Sequence, residues 1–316
     1  MRVTFAAATV TSMLIAAAAP VHAQTYSIGT NPQGSLAYST GAAVSKIVIE
    51  ETGLKMRVAP QGGPVVTIPL VNNGELAFSI ANAGAASFAQ AGINNFKGRP
   101  QKSLRMVASL IPLYSGFFTR KDSAIRTIAD LKGKRIPTGF LKQKIVEYTV
   151  SASLATAGLT LADVKGVPVP NSVRSVQDFS EGKTDAGFTS INSAAVKQAN
   201  VSVGGIRVLS LPNTPEAVKA MKAHVAAATI KVVKPGPNFP GVEGPTSVLM
   251  LPFLLMSSTK TPDDVVYKVV KAIHGNKKNL VAALGAFRAF DPKEMNLDIG
   301  LKVHSGALKF YKEAGI

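Results

Sequence analysis

From Tyr26 onward the chain alternates short apolar runs with longer stretches in which apolar residues recur every three or four positions. Short runs fit buried strands and the longer period fits amphipathic helices, so their order predicts an α/β protein. Tyr26–Thr30 reads as the first strand. A loop at Asn31, Pro32, Gln33 and Gly34 leads into a helix marked by Leu36, Val44, Ile47 and Val48, with Gly53 as its stop. Met56–Ala59 is a second strand. Gln61, Gly62, Gly63 and Pro64 make a second glycine-bearing turn into a helix reaching about Asn73, and Leu76–Ile80 is the third strand. A small-residue helix is expected over Asn82–Ala91. Such a βαβαβ unit gathers its loops at the carboxyl ends of the strands, where open α/β sheets bind ligands.

Leu104–Leu110 and Tyr114–Thr119 are two further apolar runs, read as a crossing toward a second unit, with a helix around Thr127–Leu131. That unit has strands at Arg135–Thr138, Gly166–Val169 and Thr184–Thr189 and helices over Gln143–Ala157 and Ser172–Glu181, and it continues through Asn192–Asn200 and Ile206–Ser210. Lys234–Pro245 is so rich in Pro and Gly that it reads as a loop. Val248–Ser258 returns as an apolar strand, Asp263–Leu284 as one exposed amphipathic helix, and Ser305–Glu313 as a closing helix. Two α/β halves joined by two crossings predict a clamshell: lobe one from 24–113 plus 247–316, lobe two from 114–246. The hinges are expected near Ile111–Ser115 and Pro245–Val248. A single doubly wound sheet is the alternative.

The first 23 residues stand apart from this pattern. Arg2, an apolar run over Val3–Ala19, and Val21, His22 and Ala23 read as a cleavable signal peptide, leaving Gln24 as the first residue of an exported chain. A membrane anchor is the alternative, but the run of 17 residues is shorter than the roughly 20 needed to span a bilayer. Over the full 316 residues, 46% hydrophobic and 17% charged side chains exclude a disordered chain or a coiled coil. A formal charge of +17 suggests nucleic acid or an anionic surface, and export argues against nucleic acid. Residues 97–144 carry twelve of the bases against Asp122 and Asp130 only, a run whose plain reading is a solvated face.

Catalytic constellations are missing. The absence of cysteine removes disulfides, thiolate metal sites and thiol nucleophiles. His224, His274 and His304 are scattered, and there is no HExxH, GxSxG or Walker A pattern, so neither a metal, a cofactor nor an enzymatic activity is expected. Asp263 and Asp264 are accounted for by helix capping and the macrodipole, and His304 by packing or capping in the last helix. What remains is binding at the two glycine-bearing turns, where helix N-termini offer unpaired amides to a carboxylate. Lys142, with Lys144 beside it, adds positive charge at the start of the helix after Phe140 and is a further candidate for holding an anion.

The chain resembles the TAXI-type solute receptors of TRAP (tripartite ATP-independent periplasmic) transporters. The resemblance rests on YSIGTNPQGSLAYSTGAAVSK at 26–46, VAPQGGPVVTIPLVNNGELAFSIANAG at 58–84 and IADLKGKRIPTG at 128–139. EGKTDAGF at 181–188, PDDVVYKVVKAIH at 262–274 and HSGALKFYKEAGI at 304–316 extend it to the end of the chain. It implies a two-lobed periplasmic-binding-protein type II clamshell with two crossover strands, closing as a monomer on a small organic anion, amino acid or dicarboxylate-like, and delivering it to TRAP-type membrane permease subunits. On the family's contact loops it implies Asn31, Ser35, Tyr38 and Asn82 in lobe one and Gln143, Ser190 and Asn192 in lobe two as ligand-binding residues. Asn82 is equally placed to cap its helix, and Tyr38 to be a half-buried helix residue. The chain departs from the family pattern at Asn31, Pro32 and Gln33, at Pro64, at Lys142, Gln143 and Lys144, and at Phe239, which unsettles the identity of the ligand more than the fold. An exported adaptor or sensor partner and an unrecognised exported enzyme are the rival readings.

Overall fold

The computed structural model describes Met1 and residues 24–316, so the expected signal peptide, apart from Met1, lies outside the described residues. The strands are β1 (Thr25–Thr30), β2 (Lys55–Pro60), β3 (Phe78–Asn82), β4 (Leu104–Arg120), β5 (Arg135–Thr138), β6 (Lys165–Pro168), β7 (Gly187–Ser190), β8 (Ile206–Val208), β9 (Thr229–Val233) and β10 (Thr246–Ser258). The helices are α1 (Leu36–Thr52), α2 (Pro64–Asn73), α3 (Ala83–Ala91), α4 (Lys144–Ala155), α5 (Ser172–Ser180), α6 (Ala194–Ser202), α7 (Pro215–His224), α8 (Asp263–Gly275), α9 (Lys277–Ala283) and α10 (Ser305–Ala314).

The expected βαβαβ unit is present: β1 lies between β2 and β3 and is parallel to both. Helix α1 stops where Gly53 adopts the left-handed conformation at φ 69° and its N–H bonds back to Ile49 O, a geometry glycine enters without a Cβ penalty. The sheet continues β3-β10-β4-β7, with β8 on β4 and β9 on β10, while β5 and β6 form a separate parallel pair. Strand β10 pairs with β9 through Thr246–Met250 and with β3 through Phe253–Met256. Strand β4 pairs with β10 along most of its length, then with β7 through Ser115–Phe118 and with β8 through Phe118–Arg120. These two long antiparallel strands run from one α/β unit into the other. The α/β fold, with its curled sheet, is that of a two-lobed clamshell.

The apolar runs expected as two pieces, Leu104–Leu110 and Tyr114–Thr119, are one strand, because Pro112 does not interrupt it. Pro112 faces Pro252 of β10, and the register shifts between Pro252 and Leu254. Proline has no N–H to give, and two prolines opposite one another leave this place in the ladder without the donors a pair normally exchanges. It falls within Ile111–Ser115, where one hinge was expected, and its partner on β10 lies four residues beyond the expected Pro245–Val248.

Apolar packing divides mostly along the same line, with Ile145 of the second unit joining a cluster of the first. One pair of clusters centres on Ile28, Val44, Val107 and Val266 and on Ile68, Phe88 and Met256; the other centres on Phe117, Val150 and Phe188 and on Phe118, Phe179 and Val196. The single exposed helix expected over Asp263–Leu284 is instead two, α8 and α9, and Val265, Val266, Val269, Val270 and Ile273 are all buried, with α1 and α10 packed against α8. Pro262 takes the cap position of α8, so Asp263 and Asp264 sit in its first turn without capping it, and Asp263 accepts from Ser305 Oγ at 2.6 Å. The helix expected around Thr127–Leu131 shrinks to a 3-10 turn at Ala129–Leu131. Helix α7 and strand β9 were not anticipated.

Candidate functional site

Five helices begin around one cleft between the two units. Ser35 caps α1, its Oγ accepting from the Tyr38 N–H at 3.2 Å and donating to Pro32 O at 2.7 Å. Asn82 caps α3 through Ala85 N–H at 2.9 Å, and Asn171 caps α5 through Arg174 N–H at 2.9 Å. Helix α2 starts at Gly63, whose φ of 100° is open to glycine, and α4 starts at Gln143 with no side-chain cap. Helix N-termini carry unpaired N–H groups and partial positive charge, so their convergence makes the cleft favourable to an anion.

The two units touch across the mouth of this cleft. Ala195 N–H, at the start of α6, donates to Gly34 O at 3.3 Å. A Cβ on Gly62 would stand 3.1 Å from Lys142 O, and one on Gly63 would stand 2.6 Å from Asn31 Oδ1 and 3.4 Å from Gln143 Cγ. Both glycine-bearing turns of the first unit therefore press against the second, leaving an interior of about 40 Å³. From the first unit Asn31, Ser35, Ile80, Asn82, Leu113 and Phe253 form its wall, and from the second Ser115, Gln143, Thr149, Ser172, Phe188 and Ser190. Among the described residues no Asp, Glu, Lys, Arg or His lines it.

Gln143 is fully buried, and its Oε1 accepts from the Ser172 N–H at 2.9 Å. Its Nε2 is buried without a hydrogen-bond partner, and so is Asn31 Oδ1. Buried polar groups are nearly always satisfied, so two orphans on one cleft wall mark a place for a ligand or water.

Of the residues expected from sequence, Asn31, Ser35, Asn82, Gln143 and Ser190 meet at this cleft. Tyr38, Lys142 and Asn192 do not. The Tyr38 side chain lies off the wall, with only its backbone N–H used in the Ser35 cap. Lys142 is exposed, and Lys144 reaches Glu147 Oε2 at 3.2 Å instead of the cleft. Asn192 is buried, outside the wall. Ser115, Thr149 and Ser172 were missed. Ser172 starts a helix already expected from sequence, where unpaired N–H groups favour an anion; Ser115 and Thr149 carried no signal, because only tertiary packing turns them inward.

Titration shifts lie away from the cleft wall. Burial pushes the Tyr114 and Tyr311 phenols up, and the hydrogen-bonded Arg135 guanidinium holds Asp185 below the usual carboxylate range. Among the described residues no group of three His, Cys, Asp or Glu is placed to hold a metal, and no helix is long and apolar enough to cross a membrane.

The two-lobed α/β fold is the one shared by periplasmic solute-binding proteins. The chain belongs to the NMT1-like family, whose family model matches residues 28–315. It is similar in structure to MatC from Rhodopseudomonas palustris with bound malate, with a TM-score of 0.57, 14% identity, and coverage of 83% of this chain and 88% of that one. The alkanesulfonate-binding protein SsuA from Xanthomonas axonopodis pv. citri bound to MOPS gives a TM-score of 0.52 at 17% identity, covering 91% of this chain and 83% of that one. The amino acid ABC transporter substrate-binding protein AbpA from Streptococcus pneumoniae bound to L-arginine gives 0.51 at 13% identity, covering 84% and 95%. Neighbours of this kind are substrate-binding proteins of transporters, not enzymes.

Proposed function

We propose that the protein is a periplasmic solute receptor that closes two lobes, 24–113 plus 247–316 and 114–246, on a small organic anion and hands it to a membrane permease. The observation that carries this reading is the neutral cleft at five helix N-termini, with an unpartnered amide on each side of the lobe seam. Charge on such a ligand is met by helix dipoles and N–H groups instead of by a lysine or arginine. Malate and MOPS, bound by two of the structural neighbours, are themselves anions. Assignment to the TRAP type, and within it to the TAXI receptors, is supported by the sequence resemblance across the two glycine-bearing turns and the last two long helices. The receptor acts as a monomer in the periplasm, and nucleic acid plays no part.

Native mass spectrometry of protein purified from its host should reveal a carried-over anion. Adding that compound at a hundredfold excess over Kd should raise stability by roughly 2.7 kcal/mol. Protein that carries nothing, and whose melting responds to no small anion, would favour the adaptor reading; turnover of the compound during incubation would favour an enzyme.

A further inference from the structure

Gln143 is held so that only one end of its amide is left without a partner. The Ser172 N–H occupies Oε1, and a backbone donor cannot serve the NH₂ end, so the orientation is fixed and Nε2 is the atom left to donate. The turn that delivers it is strained: Phe140, fully buried and bulky, sits at φ 36°, and its carbonyl accepts the Gln143 N–H at 2.7 Å. Backbone held in so sparsely populated a region persists only where the surroundings enforce it, and such positions cluster at ligand sites. Across the seam, Asn31 Oδ1 and Gln143 Cγ both lie within 3.4 Å of the position a Cβ on Gly63 would take, so the two side chains are neighbours, and both line the same cavity.

We infer that the ligand is a short 2-hydroxycarboxylic acid, of the size of glycolate or lactate, selected by Gln143 donating to a carboxylate oxygen and by Asn31 accepting from the hydroxyl. The inference rests on the anion-receptor reading above and narrows it. A ligand with a protonated amino group brings a positive charge to a wall that has no carboxylate and is ringed by the positive ends of helices, so free amino acids are rejected. A 2-keto acid leaves Asn31 Oδ1 without a donor, which in a buried site costs affinity. An interior of about 40 Å³ holds a few water-sized groups, which favours a short acid over a dicarboxylate of malate's length.

The test is calorimetric titration of the purified protein with lactate, glycolate, pyruvate, alanine and malate. Lactate and glycolate should bind about tenfold or more tightly than pyruvate and about a hundredfold more tightly than alanine. Gln143→Leu should weaken lactate about tenfold or more, and Asn31→Asp, which supplies the missing negative charge, should shift the lactate-to-alanine preference about tenfold toward alanine. Melting of each ligand-free variant separates a binding defect from a folding defect. Alanine, pyruvate or malate binding as tightly as lactate would overturn the inference and leave the anion-receptor reading standing. So would an unchanged preference in Asn31→Asp, or an unchanged lactate affinity in Gln143→Leu. Binding of neutral sugars with no response to any carboxylate would overturn both.

Discussion

Replacing Gly62 by Ala probes lobe closure with little effect on either lobe alone. Gly62 has no positive φ, in contrast to Gly63 at 100°, so its backbone accepts an L side chain. The new Cβ would stand 3.1 Å from Lys142 O and 3.3 Å from Lys142 Cβ, both across the seam, and 3.2 Å from Val66 Cγ2 on its own helix. The valine methyl can rotate away, but the carbonyl of Lys142 is backbone and is anchored by its own chain, the Lys142 N–H donating to Pro170 O at 2.8 Å. Closure must then stop a few tenths of an ångström short or deform that turn, an overpacking cost of about 1–3 kcal/mol. The cost falls on the closed form alone, and a ligand that binds only that form loses affinity in proportion, about 5- to 150-fold. The ligand-free open protein, in which Gly62 and Lys142 are apart, should melt within about 0.5 kcal/mol of the parent. Calorimetric titration reads the first quantity, and urea unfolding without ligand reads the second. Small-angle scattering should show the ligand-induced decrease in radius of gyration reduced. Unchanged affinity, or a loss of ligand-free stability as large as the loss of affinity, would refute the reasoning, because Gly62 would then serve the fold of its own lobe and not the seam.

His304 caps α10 as a neutral ring, Nδ1 accepting from Gly306 N–H at 3.2 Å and Nε2 donating to Ser258 O at 3.0 Å, and burial pushes its pKa below the ordinary 6.5 against the pull of Asp263. Its stabilising contribution is therefore complete above about pH 6.5 and lost as pH falls through the depressed folded-state value, so urea unfolding of the parent should weaken more between about pH 7 and pH 5 than that of His304→Asn. Gly306→Ala would drive a Cβ into the Asp263 carbonyl where α10 meets α8, and chemical denaturation should report a loss of about 3 kcal/mol. Lys142→Met, which removes a charge outside the cleft wall, should change lactate affinity by less than about threefold in the same titration.

The reach of sequence reasoning differed between local and tertiary questions. The course of α1 was legible because its apolar spacing and the glycine after it are local signals with local causes, and Gly53 stops the helix as expected. The unity of β4 was not, because a proline inside a strand ordinarily argues against one, and only the matching Pro252 opposite makes Pro112 tolerable. Similarly, Val265 to Ile273 have the spacing of an exposed amphipathic helix, and nothing in that spacing says that both α1 and α10 cover it. At the cleft, the polar positions on the contact loops of the resembled family brought out Asn31, Ser35, Asn82, Gln143 and Ser190. The choice between Lys142 and Gln143 could not be read, since which of two neighbours faces inward is decided by the turn at Phe140, a conformation no propensity favours.

The place of β10 in the sheet has a consequence for the order in which the chain can fold. Strand β10 lies between β3 and β4, yet it is made after both, and after the whole of the second unit. A chain growing from its N-terminus reaches residue 245 with the middle slot of its largest sheet vacant, facing edges open on β3 and β4, and β9 without the strand it pairs with. Open edges of this kind invite pairing with other chains. Any product cut off before Thr246 would carry them permanently, and the complete protein escapes them only when Val248–Met256 slides in as the keystone, joining both units at the same moment.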